Sequence, residues 1–126
     1  MQPVLLVALG GAIGSVLRYE TGALVLRQVG TTPLPWGTFT VNVAGCAIAG
    51  LLAGLGEHFN YLTADVRLFV FTGFLGGFTT FSAFGVETIG LVERGQWGLA
   101  AGYVVASVLC GLAALWMALK IGGMGA

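Results

Sequence analysis

The chain has 126 residues, of which 57% are hydrophobic and only 8% are charged, and its formal net charge is zero. A soluble domain usually carries charge on about a quarter of its residues, so this composition excludes an ordinary soluble protein. The neutral balance argues against a nucleic-acid partner, and the mean hydropathy of +0.96 indicates an integral membrane protein.

The charged residues are spaced so that four apolar stretches remain, at about residues 3–26, 36–56, 67–90 and 98–120. Each reaches the roughly 20 residues that a helix needs to cross the hydrocarbon core. The first stretch lacks a basic leading segment and a small-residue cleavage site, so we expect it to be retained rather than removed as a signal peptide. The sequence therefore predicts an all-α membrane protein in which residues 1–126 form one domain of four transmembrane helices.

Small residues recur at four-residue spacing in the first, second and fourth spans. The pairs are Gly10 and Gly14, Gly11 and Ser15, Gly50 and Gly54, and Gly98 and Gly102. Because helices in lipid associate through close backbone approach, these pairs predict helix contacts. The two cysteines, Cys46 and Cys110, lack metal-binding or redox spacing, and we interpret them as small packing residues.

The third span carries a glycine cluster followed by hydroxyl residues. Gly73, Gly76 and Gly77 precede Thr79, Thr80 and Ser82. This pattern predicts a helix broken at mid-membrane, where unwound backbone lines a cavity or is buried in protein. The alternative is a continuous helix whose glycines pack against a neighbour.

Polar and aromatic side chains are arranged to line a path. Thr38 and Asn42 lie one turn apart on the second span, as do Tyr103 and Ser107 on the fourth. Their hydroxyl and amide donors can replace water around an anion. The positive ring edges of Phe81 and Phe84 can face an anion as well. The alternative for such residues is hydrogen bonding between helices.

Two charged residues inside the spans, Arg18 and Glu87, have two interpretations. Arg18 lies close enough to one interface to snorkel, or it faces a water-filled vestibule and attracts anions. Structural ion pairing is the alternative for both residues.

The loop cations predict how the chain inserts. Arg67 and Lys120 fall on the side of the termini, and Arg27 and Arg94 fall on the other side. This even distribution removes the positive-inside bias and predicts dual topology, in which two opposite copies pair as an antiparallel homodimer. The alternative is that one or two charges still fix the orientation. The chain has no catalytic triad, phosphate loop or metal-ligand spacing, so we do not expect an enzyme.

Three segments carry a resemblance to a known family: GGAIGSVLRY from Gly10, GTFTVNVAG from Gly37, and GFLGGFTTFSAF from Gly73 to Phe84. They resemble the Fluc (CrcB) fluoride channels, and the resemblance covers essentially the whole chain. It implies a passive channel of the bacterial inner (plasma) membrane. Such a channel is an antiparallel homodimer that releases cytoplasmic fluoride down its gradient and confers fluoride resistance. Fluoride itself comes from the resemblance, because the residues alone favour only a small anion.

The resemblance also implies residue roles. Phe81 and Phe84 match the pore phenylalanines, Asn42 matches the pore asparagine, and Tyr103 and Ser107 resemble the start of a polar track on the fourth helix. Thr38 and Thr80 look like further pathway residues. Gly111 stands where another hydroxyl would continue the track. A structural sodium ion at the dimer centre is implied, held by the backbone carbonyls of Gly76 and Thr79 from both subunits.

Two other functions remain open from the residues. A small multidrug-type transporter is also a four-helix dual-topology dimer, but it needs a carboxylate in the middle of the first helix. The first acidic residue here is Glu20, near the end of that span. The other alternative is a structural membrane subunit whose glycines only pack helices.

Overall fold

The computed structural model describes residues 2–124; residues 1, 125 and 126 of the predicted domain lie outside it. It contains four long helices: α1 (Gln2–Val29), α2 (Trp36–Phe59), α3 (Ala64–Glu93) and α4 (Trp97–Met124). Each is long and apolar enough to cross a membrane, and each encloses one predicted span. The prediction of an all-helical protein with four membrane spans is confirmed.

Helix α3 is interrupted near its middle. It starts with a turn at Ala64–Arg67, continues as a π-helix at Leu68–Leu75 and ends its first half at Gly76–Phe78. Thr79 and Thr80 are extended, with ψ angles of 159° and 117°, and the second half then runs over Phe81–Glu93. The predicted break is confirmed, and it follows the glycine cluster directly. The π-helix before it was not predicted.

Two glycine pairs bring helices into backbone contact, as predicted. A Cβ atom on Gly50 or Gly54 of α2 would overlap a backbone carbonyl of α4. A Cβ atom on Gly10 or Gly14 of α1 would likewise overlap a carbonyl of the first half of α3. Since no Cβ intervenes, α2 lies directly on α4 and α1 lies directly on α3. The contact with α1 holds the first half of α3 in place.

The pair formed by Gly98 and Gly102 behaves differently. A Cβ atom at either position would meet nothing within 4 Å in the described part of the chain. The helix contact predicted for this pair is therefore not made within one chain.

The buried core is small and lies where α3 ends and α4 begins. Leu91, Ala100 and Tyr103 form its centre, and Phe39 and Phe84 pack against it. Most other large apolar side chains are exposed, as expected for helices that contact lipid. The core fixes the second half of α3 against α4, and it thereby positions the polar residues described next.

Candidate functional site

The side chain of Asn42 joins α2 to the break in α3. Its Nδ2 donates to the carbonyl of Thr80 at 2.9 Å, and its Oδ1 accepts from the backbone amide of Thr80 at 2.8 Å. The amide of Thr80 is thus paired although no helix pairs it, and the carbonyl of Thr80, the N-cap residue of the second half of α3, gains a side-chain donor. A carboxamide carries two N–H donors, so Asn42 keeps one donor beyond this contact. Its predicted place on an anion pathway rests on that second N–H.

The same contact releases a carbonyl at the break. In a continuous helix the amide of Thr80 would donate to the carbonyl of Gly76, four residues earlier. Here it donates to Asn42 instead. Similarly, the amide of Ala83 would donate to the carbonyl of Thr79 in a continuous helix. Here it donates to the hydroxyl oxygen of Thr80 at 3.1 Å. The carbonyls of Gly76 and Thr79 therefore lose their usual helical donors.

A second network holds the carboxylate of Glu87. Thr38 Oγ1 donates to Glu87 Oε1 at 2.6 Å, and the hydroxyl of Tyr103 donates to Glu87 Oε2 at 2.9 Å. The contacts of Glu87 are thus hydrogen bonds from hydroxyls rather than the ion pair considered above. Thr38 and Tyr103 were predicted to offer free donors, and in this structure both donors are engaged. They reach an anion only when Glu87 releases them.

A cavity of about 480 Å³ opens beside these networks. Its wall includes Arg18 from α1, Thr38 from α2, and Thr80 and Glu87 from α3. Arg18 is half-buried. One cationic and one anionic residue thus share this wall, and a water-filled vestibule that attracts anions stays a prediction.

The two phenylalanines follow the break on α3. The ring centroids of Phe81 and Phe84 lie 5.6 Å apart, and Phe84 lies 5.1 Å from the ring of Tyr103. Phe84 is half-buried inside the chain, whereas Phe81 is 85% exposed. One predicted pathway ring therefore belongs to the interior and the other to the outer surface.

Ser107 lies one turn after Tyr103 on α4. Its hydroxyl oxygen is buried and has no hydrogen-bond partner among the described residues. A buried polar group without a partner costs about 1–3 kcal/mol, so such a group calls for a ligand or a partner molecule.

Taken together, the site is a set of neutral donors and aromatic edges beside a charged cavity. The unpartnered hydroxyl of Ser107 and the second N–H of Asn42 are suited to replace water around a small anion. The pairing of Asn42 with Thr80 and the Glu87 network were not predicted. One sequence signal pointed to the latter, because Glu87 and Tyr103 both lie eight residues from Gly95 in the connection between α3 and α4.

Comparison with known proteins gives matches over nearly the full chain. A family model described as "CrcB-like protein, Camphor Resistance (CrcB)" matches residues 5–119. A protein of Methylobacillus flagellatus named "Fluoride-specific ion channel FluC" is 48% identical over 121 residues, covering 96% of this chain and 94% of its own length. A protein of Rhizobium etli with the same name is 49% identical, with 96% of each chain covered. Another, from Rhodospirillum centenum, is 46% identical over 96% of this chain and 95% of its own.

The pairing of Asn42 with Thr80 predicts that Asn42→Ala loosens the break. The substitution leaves the amide of Thr80 unpaired, at an expected cost of about 1–3 kcal/mol in the free energy of unfolding. Amide hydrogen exchange of a peptide covering residues 76–83, followed by mass spectrometry, should become faster. Thr40→Ala, two residues away on α2, serves as the control and should exchange like the unaltered protein. Unchanged exchange in Asn42→Ala would contradict the stabilising role of this pair.

Proposed function

We propose, since the chain belongs to the CrcB-like family, that it is a fluoride-selective passive channel. It lets cytoplasmic fluoride leave down its electrochemical gradient and thereby confers fluoride resistance. The chain is a multi-pass membrane protein and not an enzyme; its proposed location is the inner (plasma) membrane. Support comes from the full-length relatives named as fluoride-specific channels and from the neutral donors beside the break.

The buried hydroxyl of Ser107 is the structural observation that carries this proposal. A donor placed in the membrane without a protein partner is unfavourable unless something accepts its hydrogen bond. Fluoride is a small, strong acceptor and benefits from several short hydrogen bonds when it loses its water. A site of neutral donors compensates that loss without the tight binding that a fixed positive charge at the same place would cause.

A route follows from the positions of the residues. Fluoride enters the cavity beside Arg18, whose positive charge raises the local anion concentration. It then passes the donors of Asn42 and Ser107, with the ring edges of Phe81 and Phe84 facing it. Thr38 and Tyr103 contribute hydroxyls along the way when Glu87 releases them, and Thr80 lines the cavity. Fluoride moves down its gradient, so the process needs no ATP.

The multidrug-type alternative has less support. Export of cationic drugs coupled to protons needs a carboxylate in the middle of the first helix, and α1 has no acidic residue before Glu20. The carboxylate of Glu87 lies on α3 and accepts hydrogen bonds from Thr38 and Tyr103. The relatives, in addition, are named as channels for an anion.

The channel proposal predicts fast fluoride efflux from liposomes that contain the purified protein, with negligible chloride efflux, as measured by ion-selective electrodes. Phe81→Ile should lower the fluoride rate about three- to tenfold, because it removes a ring edge from the route. Val86→Ile, an exposed position on the same helix, is the matched control and should conduct normally. Absence of fluoride efflux from well-folded protein would rule out the channel.

The proposal includes assembly of two chains as an antiparallel homodimer. Phe81 is 85% exposed and Gly76 is exposed as well, so the route and the break both reach the surface of one chain. A second copy that covers this surface completes the route from both sides. The loop cations support opposite orientations, with Arg67 and Lys120 on one side and Arg27 and Arg94 on the other.

Dual topology predicts that both orientations occur in one cell population. Two reporters fused after the last residue test this: a fluorescent protein that folds only in the cytoplasm and alkaline phosphatase, which is active only outside it. Both fusions should be active at comparable levels. Replacing Arg27 and Arg94 with Ala should shift the signal to one reporter. Activity of one reporter alone in the unaltered protein would contradict dual topology.

A structural sodium ion at the centre of the dimer is the second part of the proposal. The residues fit it, because the carbonyls of Gly76 and Thr79 lose their helical donors to Asn42 and Thr80. A two-fold axis supplies each carbonyl twice, and oxygen ligands of this kind suit a hard cation. The ion supplies positive charge that satisfies these carbonyls where no water reaches them.

Sodium at this site predicts that the stability of the dimer depends on the cation. Replacing sodium with N-methylglucamine at equal ionic strength should lower the melting temperature in detergent. The loss corresponds to about 2.7 kcal/mol if sodium was present at about a hundred times its dissociation constant. Potassium and choline serve as further controls for ionic strength. Equal melting temperatures in sodium and N-methylglucamine would exclude a stabilising sodium ion.

A further inference from the structure

The inner faces of α2 and α4 carry matching rows of residues. Thr38, Asn42 and Cys46 follow one another at four-residue spacing on α2, and Tyr103, Ser107 and Gly111 do so on α4. Residues at this spacing share one face of a helix. The two helices form the main packing contact of the fold. The rows therefore run side by side through the membrane.

The rows meet at Cys46 and Gly111. Gly111 is buried, and a Cβ atom on it would lie 3.4 Å from Cys46 Sγ. The thiol thus occupies the space beside Gly111 into which a larger side chain on α4 would extend. A sulfhydryl is a hydrogen-bond donor, although a weak one. Cys46 consequently places a donor where α4 has none.

The neighbouring turn of α4 carries a hydroxyl group that is free to bind a ligand. The hydroxyl of Ser107 is buried and unpartnered, and it lies one turn before Gly111. An anion that accepts from Ser107 and moves on along the helices next reaches the level of Gly111. There the side chain of Cys46 stands one turn beyond Asn42.

We infer that the thiol of Cys46 is a donor on the anion pathway and takes the place that a hydroxyl at position 111 would fill. This inference rests on the proposed fluoride channel and adds one residue to its route. It replaces the interpretation of Cys46 as a packing residue. Cys110 is a free cysteine like Cys46, but it is exposed; it provides a matched control.

The experiment compares fluoride efflux from liposomes for the unaltered protein and five variants. Cys46→Ala removes the donor and should lower the rate about fivefold, the effect of one lost hydrogen bond. Cys46→Ser keeps a donor, and a stronger one, so its rate should equal or exceed that of the unaltered protein. Cys110→Ala should conduct normally.

The decisive variant moves the donor to the opposite helix. In Cys46→Ala combined with Gly111→Ser, the smaller side chain at 46 leaves room for a hydroxyl at 111, and fluoride efflux should return to within about twofold of the original rate. Cys46→Ala combined with Gly111→Ala is the matched control. Its methyl group fills the same space without a donor, so the rate should stay low, whereas a packing role predicts that the rate recovers here as well. Size-exclusion chromatography and melting temperature confirm that each variant is folded.

The outcomes separate this inference from the function on which it rests. If the unaltered protein and Cys110→Ala conduct fluoride and Cys46→Ala conducts equally fast, the role of Cys46 is wrong and the channel stands. If the double variant with Gly111→Ser stays as slow as Cys46→Ala, or the double variant with Gly111→Ala recovers equally well, the inference is overturned. If no form conducts fluoride, the channel proposal fails and this inference fails with it.

Discussion

The fold depends on the pair of hydrogen bonds between the side chain of Asn42 and the backbone of Thr80. Without such partners, two consecutive extended residues at mid-membrane would leave backbone groups unpaired in hydrocarbon, at several kcal/mol for each group. One carboxamide accepts from the amide of Thr80, which lacks its helical acceptor, and also donates to the carbonyl of Thr80 at the start of the second half of α3. Glycines at 73, 76 and 77 weaken the helix before the break, since each disfavours helix by about 1 kcal/mol relative to alanine.

The break leaves groups on one chain that nothing in the described part of that chain covers or pairs. It frees the carbonyls of Gly76 and Thr79, and it turns the second half of α3 so that Phe81 lies on the outer surface. Carbonyls without helical donors and an exposed aromatic ring are unfavourable for an isolated chain. In a pair of chains the same groups can be covered and can bind an ion. The same feature that costs stability within the subunit therefore creates the surface on which assembly and ion binding are proposed.

The sequence predicted what depends on composition and spacing, and it missed what depends on side-chain partners. Four spans and the break are readable because long apolar stretches and clustered glycines have few alternative structures. The partners of Asn42 and Glu87 are not, because a polar residue in a membrane helix bonds to whichever neighbour reaches it. The contact between Glu87 and Tyr103 could have been predicted from their distance to the turn between α3 and α4. Both residues are equally far along the chain from Gly95 in that turn, so they lie at the same depth in the membrane. The π-helix left no signal that we recognise in its residues.

The packing of α2 on α4 accounts for the neutral character of the site. Gly50 and Gly54 bring the two backbones together and leave no side chain between them. A fixed charge in such a close-packed region would be expensive, whereas hydroxyl, amide and thiol groups cost less. The charges of Arg18 and Glu87 lie instead at the cavity, where hydroxyl groups donate to Glu87. In the proposed route, charge gathers ions at the entrance and neutral donors pass them on, because only weak binding lets an ion leave as readily as it arrives.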